Sequence, residues 1–375
     1  MSILHRLSVG AFGFCLLALL PVWAPAQDTQ PAGPAAIDIP ESALKSGLLA
    51  SHVEMVSKAV GHGLGQLREA GSDQEIVAAR KGLLAVYSRY DSMRYQYAVA
   101  EEVAKGVPEL LRLEDPRLQV NAALTVSQMR QVPIQPVLDA MLAHSNPAVR
   151  LYAWQGYRRI RLLVLAQGKE FAERMYASLA QAVAKENSLP VLQEALGMFH
   201  IESDAPRTIS AQDFQQARKR LLGIFAGVWP RLCGKVAGGD LEMCACCRKG
   251  ITVLRTVRDA LASDSAVTQD VIGMVHGAML SAAKALTAAS PGSPAAAAVE
   301  PLLQDCENAL NYVTRLRKTP MTSALATKGE VDRNLAVLSA VQAWRESLVA
   351  AGYTLSESSE SQNQPATPST SSAQP

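Results

Sequence analysis

The chain has 375 residues, of which 49% are hydrophobic and only 5% are aromatic, and its formal net charge at pH 7 is +2. This near-neutral balance lacks the excess of positive charge that general binding to nucleic acid or to anionic lipid requires, so it argues against both as partners. Abundant Ala and Leu and scarce β-branched runs favour helices that pack closely through small side chains, and they predict an all-α fold.

The first 26 residues have the composition of a cleaved secretory signal. A short basic start precedes an apolar run that includes residues 16–20, and small residues at 24–26 provide a cleavage site before Gln27. The apolar run is too short for a membrane span, which needs about 20 residues. We therefore expect an exported protein, periplasmic or extracellular, that has no membrane span once residues 1–26 are removed.

Two further segments have compositions that do not favour a folded structure. Residues 27–40 are predicted to form a flexible linker between the signal and the first helix. Residues 354–375 are almost entirely Ser, Gln, Pro, Thr, Glu and Ala. Because they bury too little apolar surface to offset the entropy cost of ordering, they are predicted to form a disordered tail.

Helix signals recur along the part of the chain between these segments. A first helix is predicted over residues 40–60, and the glycines within residues 61–65 are predicted to end it. Ser72 and Glu75 have the spacing of a capping box, which predicts that the next helix begins there. A further helix is predicted over residues 91–104.

Two segments 31 residues apart share a helix, corner, helix pattern. Asp115-Pro116 forms the first corner and Asn146-Pro147 forms the second. Proline suits the first turn of a helix because its missing N–H would have no partner there, and the preceding Asp or Asn can cap the exposed amides. A fixed period of this size is typical of stacked helical hairpins, in which each hairpin buries its apolar side against its neighbours.

The apolar spacing after each corner predicts which helix face is buried. The predicted seam residues are Leu118, Ala122 and Thr125 in the first copy, and Val149, Ala153, Gly156, Ile160 and Leu163 in the second. They are expected to lie between neighbouring hairpins.

The second corner, with Asn146-Pro147-Ala148-Val149-Arg150 followed by Ala153, resembles the HEAT family of α-solenoid repeats. That family favours an Asp-Pro-x-Val-Arg corner followed by Ala. The first corner differs at the Arg position, where it has Gln119. The resemblance covers about residues 74–200 and implies a HEAT-like array of helical hairpins over residues 41–205.

The region from 206 to 353 has longer predicted helices, over residues 211–229, 241–262, 266–289, 295–317 and 329–351. They either continue the superhelix irregularly or form a separate bundle. The most apolar window, residues 271–289, is interrupted by His276 and Lys284, so it is predicted to be a core helix and not a membrane span.

Five cysteines remain after signal removal, all in this region: Cys233, Cys244, Cys246, Cys247 and Cys306. In an oxidising compartment we expect two disulfide bonds and one free thiol, with a connectivity that the sequence leaves open. In a first alternative, Cys233, Cys244, Cys247 and Cys306 bind zinc, although paired CxxC spacing is missing. In a second alternative, Cys244 and Cys247 form a redox dithiol near a helix N-terminus.

The helix that begins at Pro147 carries a second candidate site. At helical spacing it presents Arg150, Trp154, Tyr157, Arg158 and Arg161, which are predicted to face away from the seam. The HEAT resemblance implies that the second helix of each hairpin lines the concave surface, where this stripe would bind an acidic or aromatic segment of a partner protein. The alternative is structural: Arg150 pairs with a carboxylate of a neighbouring repeat, and Trp154 fills a gap between hairpins.

No HExxH or GxSxG motif occurs in the chain, and no other local pattern indicates catalysis. The sequence therefore predicts an exported, non-enzymatic α-solenoid scaffold that needs no cofactor and binds another protein through its concave repeat face. The alternative function is a zinc-binding or thiol-redox module centred on Cys244 and Cys247.

Overall fold

The computed structural model describes residues 38–200, 208–290 and 292–355. These residues form fifteen α-helices and one 3-10 helix, with no β-strand among them, so the predicted all-α class is confirmed. The predicted signal, residues 27–37 of the predicted linker and residues 356–375 of the predicted tail lie outside the described residues.

The helices in chain order are α1 Glu41–Ser46, α2 Ala50–Glu69, α3 Asp73–Ser88, α4 Met93–Leu111, α5 Pro116–Gln128, α6 Gln135–Leu142, α7 Pro147–Ala166, α8 Lys169–Lys185, α9 Leu189–Met198, α10 Ala211–Ala237, α11 Glu242–Ala260, α12 Ser265–Ala288, α13 Pro294–Thr314, α14 Pro320–Leu325 and α15 Glu330–Ala350. The 3-10 helix, Val132–Ile134, leads directly into α6.

The helices pack in two layers. The even layer contains α2, α4, α6, α8, α10 and α12, and each of these helices contacts the next one. The odd layer contains α3, α5, α7, α9, α11 and α13, again with each helix contacting the next. At the end of the chain, α15 returns to the even layer beside α12, and α14 contacts both α13 and α15. Each hairpin therefore packs mainly against the hairpins before and after it.

This packing continues across residues 201–207. In the even layer α8 contacts α10, and in the odd layer α9 contacts α11. A series of aromatic rings crosses the same place: the Phe199 ring centroid lies 6.4 Å from that of Trp154 and 5.7 Å from that of Phe225, which stacks on Trp229 at 5.1 Å. These contacts favour a continuation of the array over a separate bundle after residue 206.

The predicted helix starts are confirmed. Asp115 and Asn146 each accept a hydrogen bond from an amide in the first turn of the following helix, at 2.8 and 2.9 Å. Ser72 and Glu75 form the reciprocal capping box. Of the predicted seam residues, Leu163 is 36% exposed, and the others are buried.

The prediction that glycines 61–65 end the first helix is wrong, because α2 runs through them. A Cβ at Gly63 would lie 2.6 Å from a methyl carbon of Leu83, so this glycine permits close packing of α2 on α3. Tertiary packing here offsets the intrinsic cost of glycine in a helix, which is about 1 kcal/mol per residue. The chain breaks earlier, at Gly47, whose φ of +145° favours glycine.

Among the described helices, α12 alone is long and apolar enough to cross a membrane by length and composition. Within the fold, 56% of its most apolar stretch is buried. It contacts α10, α11, α13 and α15. The helix α12 therefore packs within the fold, as predicted for residues 271–289.

Candidate functional site

Three of the five predicted partner-binding residues lie inside the array. Trp154, Tyr157 and Arg161 are 1%, 0% and 4% exposed. The Tyr157 hydroxyl donates a hydrogen bond to Asp139, and Arg161 Nη1 donates to the carbonyl oxygen of Met198 at 2.6 Å. The prediction that these three side chains face a partner is wrong, because the flanks of α7 are covered by α6 and by the end of α9.

Burial and the nearby carboxylate of Asp139 raise the pKa of Tyr157 far above its ordinary value. The hydroxyl therefore stays protonated and acts as a structural hydrogen-bond donor. Trp154 fills the space between hairpins, with its ring beside Phe199. This confirms the structural alternative for Trp154.

Arg150 joins two hairpins through Glu186. Its Nε lies 2.7 Å from Glu186 Oε2 and its Nη2 lies 3.0 Å from Oε1. Its Nη1 donates to the carbonyl oxygens of His144 and Ser145 at 2.8 and 2.7 Å. Each of its three guanidinium nitrogens therefore donates a hydrogen bond within the fold, which confirms the structural alternative for Arg150 as well.

The Glu186 carboxylate is almost completely enclosed, with a side chain that is 3% exposed. Burial alone would raise the pKa of Glu186, but hydrogen bonds from Arg150 and from the two following amides outweigh burial and lower it. The carboxylate is therefore charged at neutral pH and holds the α8–α9 corner against the α6–α7 corner.

Arg158 is the predicted partner-binding residue whose side chain is most open to solvent, at 47%. Arg130, in the loop after α5, and Arg159 of α7 are also exposed, and Lys249 of α11 is half-buried. Arg158 Nη1 and Lys249 Nζ would lie 3.3 and 3.5 Å from a Cβ placed at Gly197, so both cations lie over the end of α9. We call Arg130, Arg158, Arg159 and Lys249 the basic cluster.

Positive charge is in excess in the basic cluster. Glu194 lies 3.0 Å from Arg158, and within the described part of the chain no other carboxylate forms an ion pair with a member of the cluster. Burial and the charges of Arg130 and Arg158 lower the pKa of Arg159, yet an arginine remains charged at physiological pH. The carbonyl end of α9 offsets part of the mutual repulsion. The result is a positive surface spread over several hairpins.

Sequence reasoning identified one member of this cluster, Arg158, and missed three. Arg159 is its neighbour in the chain, and the adjacent pair was a local signal for an exposed basic site. Arg130 and Lys249 are distant in sequence and join the cluster only because α5, α7, α9 and α11 lie side by side in the odd layer.

The five cysteines are buried free thiols in the structure, so the predicted disulfide bonds are not found among the described residues. Cys233 is on α10, Cys244, Cys246 and Cys247 are on α11, and Cys306 is on α13. Each thiol occupies a core position between packed helices, where cysteine behaves as a small apolar side chain and needs no cross-link.

The environment of these thiols disfavours both chemical alternatives. Burial raises the pKa of Cys244 to about 11 and that of Cys246 to about 12, and it raises the pKa of Cys306 well above its ordinary value. A hydrogen bond with Cys233, together with burial, raises the pKa of Cys247. Protonated thiols are poor nucleophiles and poor metal ligands.

The geometry required for zinc is also missing. Over the described ranges, no three His, Cys, Asp or Glu side chains converge in a way that could hold a metal ion. Cys233, Cys244, Cys247 and Cys306 are therefore not brought together as the proposed ligand set.

A scan against models of known protein families gives no match for this chain. A search of curated proteins likewise finds no similar sequence. The surfaces of the helical array are therefore the basis for inferring a function.

Proposed function

We propose that this chain is an exported, non-enzymatic adaptor of the HEAT-like α-solenoid type that binds another protein through its odd layer. The observation that carries the proposal is the basic cluster, whose members come from α7, from α11 and from the loop after α5, and which borders the end of α9. In arrays of this kind the second helices of successive hairpins form an extended binding surface.

The charge of the cluster specifies the chemistry of the partner. Guanidinium and ammonium groups form their strongest hydrogen bonds with carboxylates, so an acidic segment of a protein is the matching ligand. The near-neutral net charge and the signal-like start of the chain favour a protein over a nucleic acid. The absence of a catalytic motif from the sequence and the buried, protonated thiols support a role without catalysis.

The test compares two fluorescent peptides, one rich in Glu and one in which every Glu is replaced by Gln. We expect fluorescence anisotropy to show binding of the Glu peptide alone, with an affinity that falls as salt screens the charges. The variant with Arg158→Glu and Lys249→Glu should bind at least about tenfold more weakly, because each reversal replaces an attraction of roughly 0.5–1 kcal/mol with a repulsion.

The matched control replaces two exposed cations outside the cluster, Arg112→Glu with Arg174→Glu, and changes the net charge by the same amount. It should bind the Glu peptide nearly as well as the wild type. Equal weakening in both variants, or equal binding of the Gln peptide, contradicts recognition of an acidic segment by the basic cluster.

A further inference from the structure

The last helix of the array leaves an apolar face in solvent. One side of α15 packs against the fold and buries Val337, Ala340, Val341, Trp344 and Leu348. On the opposite side, Val331, Leu335, Leu338 and Val349 are 70%, 59%, 43% and 57% exposed. When such an array is soluble as a monomer, its last helix normally carries a polar outer face. The outer face of α15 instead carries these four exposed apolar residues.

The exposed residues follow the spacing of a coiled-coil interface. Steps of four and three residues alternate along one exposed line of α15, which we call the α15 seam: Val331, Leu335, Leu338, Gln342, Arg345 and Val349. This alternation is that of the a and d positions of heptad repeats, which a second helix covers. The seam extends along most of the helix, so it fits a helix of similar length.

Charge determines the orientation of that second helix when it is α15 of another copy. In a parallel pair, Arg345 would face Arg345 of the second copy. In an antiparallel pair, Val331 faces Val349 of the other copy, and Arg345 faces Leu335 and lies within one helical turn of Asp332. Among the residues that the structure describes, neither Asp332 nor Arg345 has an ion-pair partner. The antiparallel dimer therefore places each Arg345 near one Asp332 of the other copy, and this pair occurs twice, once on either side of the two-fold axis.

We propose that two copies of this chain associate through their α15 seams, with the helices antiparallel about a two-fold axis that crosses the seam midway between Leu338 and Gln342. Such an interface uses the same patch on both copies and closes on itself, so it stops at a dimer. It lies at the C-terminal end of the array and uses none of the residues of the basic cluster. The interaction is independent of the proposed peptide binding.

Analytical ultracentrifugation of the mature chain over a range of concentrations tests the proposal. We expect the mass to rise from one copy toward two as the concentration increases, because Gln342 and Arg345 weaken an otherwise apolar seam. The variant with Leu335→Glu and Leu338→Glu should remain at the mass of one copy. The control with Met93→Glu and Tyr97→Glu replaces two exposed apolar residues on α4 and should still dimerise.

A charge exchange tests the orientation and does not depend on removing apolar surface. Arg345→Asp should weaken the dimer, because it places like charges near Asp332 of the second copy. Asp332→Arg combined with Arg345→Asp should restore it, and circular dichroism should show the same helix content in every variant. The proposal is overturned if the wild type keeps the mass of one copy at all concentrations. It is also overturned if the dimer survives the two Leu→Glu changes, or if the charge exchange fails to restore association.

Discussion

Replacing Arg150 with Ala removes the side chain that joins two neighbouring hairpins and leaves its carboxylate partner behind. The Glu186 side chain is 3% exposed and that of Arg150 is 21% exposed, so the remaining charge cannot move into water. Breaking a buried ion pair in this way costs about 3–5 kcal/mol. Because Glu186 keeps two amide donors, we expect the free energy of unfolding to fall by about 3 kcal/mol, near the lower end of that range.

Urea unfolding followed by circular dichroism measures this difference. The control is Arg174→Ala, which removes an exposed pair with Glu170 at 3.2 Å and should cost only about 0.3–0.5 kcal/mol. Combining Arg150→Ala with Glu186→Gln should recover part of the loss, since the buried charge is then gone. If Arg150→Ala destabilises the chain no more than Arg174→Ala does, the pair is not a structural link between hairpins.

The same pair predicts a dependence on pH. The pKa of Glu186 is lowered in the folded chain relative to its ordinary value of 4.5, so its ionised form contributes stability above the unfolded pKa. That contribution is lost as the pH falls through the lowered, folded-state pKa. In Arg150→Ala the stabilising cation is absent. The difference in free energy of unfolding between the wild type and Arg150→Ala should therefore be largest above about pH 5 and should shrink below about pH 4. A difference in free energy of unfolding that stays constant over this pH range contradicts a stabilising role for ionised Glu186.

Two further predictions concern the core around α11. Gly250→Ala would place a methyl group 2.2 Å from a ring carbon of Trp229 and 3.3 Å from one of Phe225, whereas a Cβ at Gly223 meets no atom within 4 Å. Urea unfolding should therefore show a loss of about 1–3 kcal/mol for Gly250→Ala and none for Gly223→Ala. At neutral pH the folded chain without residues 1–26 should react slowly with an aromatic disulfide reagent, and all five of its cysteines should react after unfolding without prior reduction. Rapid native labelling would contradict the buried thiols, and fewer than five reactive thiols in the unfolded chain would indicate disulfide bonds.

Helix positions could be predicted from the sequence because their signals are local. The Asp-Pro and Asn-Pro corners and the Ser72 capping box act within one turn of a helix, and all of them form as expected. The helix predicted over residues 266–289 is observed as Ser265–Ala288. The first helix was mispredicted because the role of Gly63 depends on Leu83 of the next helix, a contact that local reasoning cannot supply.

The candidate site was harder to predict, because it depends on which flank of α7 its neighbours cover. Trp154, Tyr157 and Arg158 share a helix and a helical spacing, yet two of them are buried and one is open. Periodicity defines a face but does not identify what packs on it. Lys249 of α11 lies near Arg158 of α7 because both helices pack against α9 in the odd layer. Its membership of the basic cluster therefore follows from the tertiary structure alone.

The two proposed surfaces have a joint consequence that neither has alone. A dimer through the α15 seam carries two basic clusters, so a partner with two acidic segments would bind the second cluster at a high effective concentration. Leu335→Glu with Leu338→Glu should then weaken binding of a two-segment ligand while leaving the affinity for a single Glu-rich peptide unchanged. Arg158→Glu with Lys249→Glu should weaken both. Because each hairpin packs mainly against its neighbours, changes at the end of the array should leave the basic cluster intact, and the two effects can be separated.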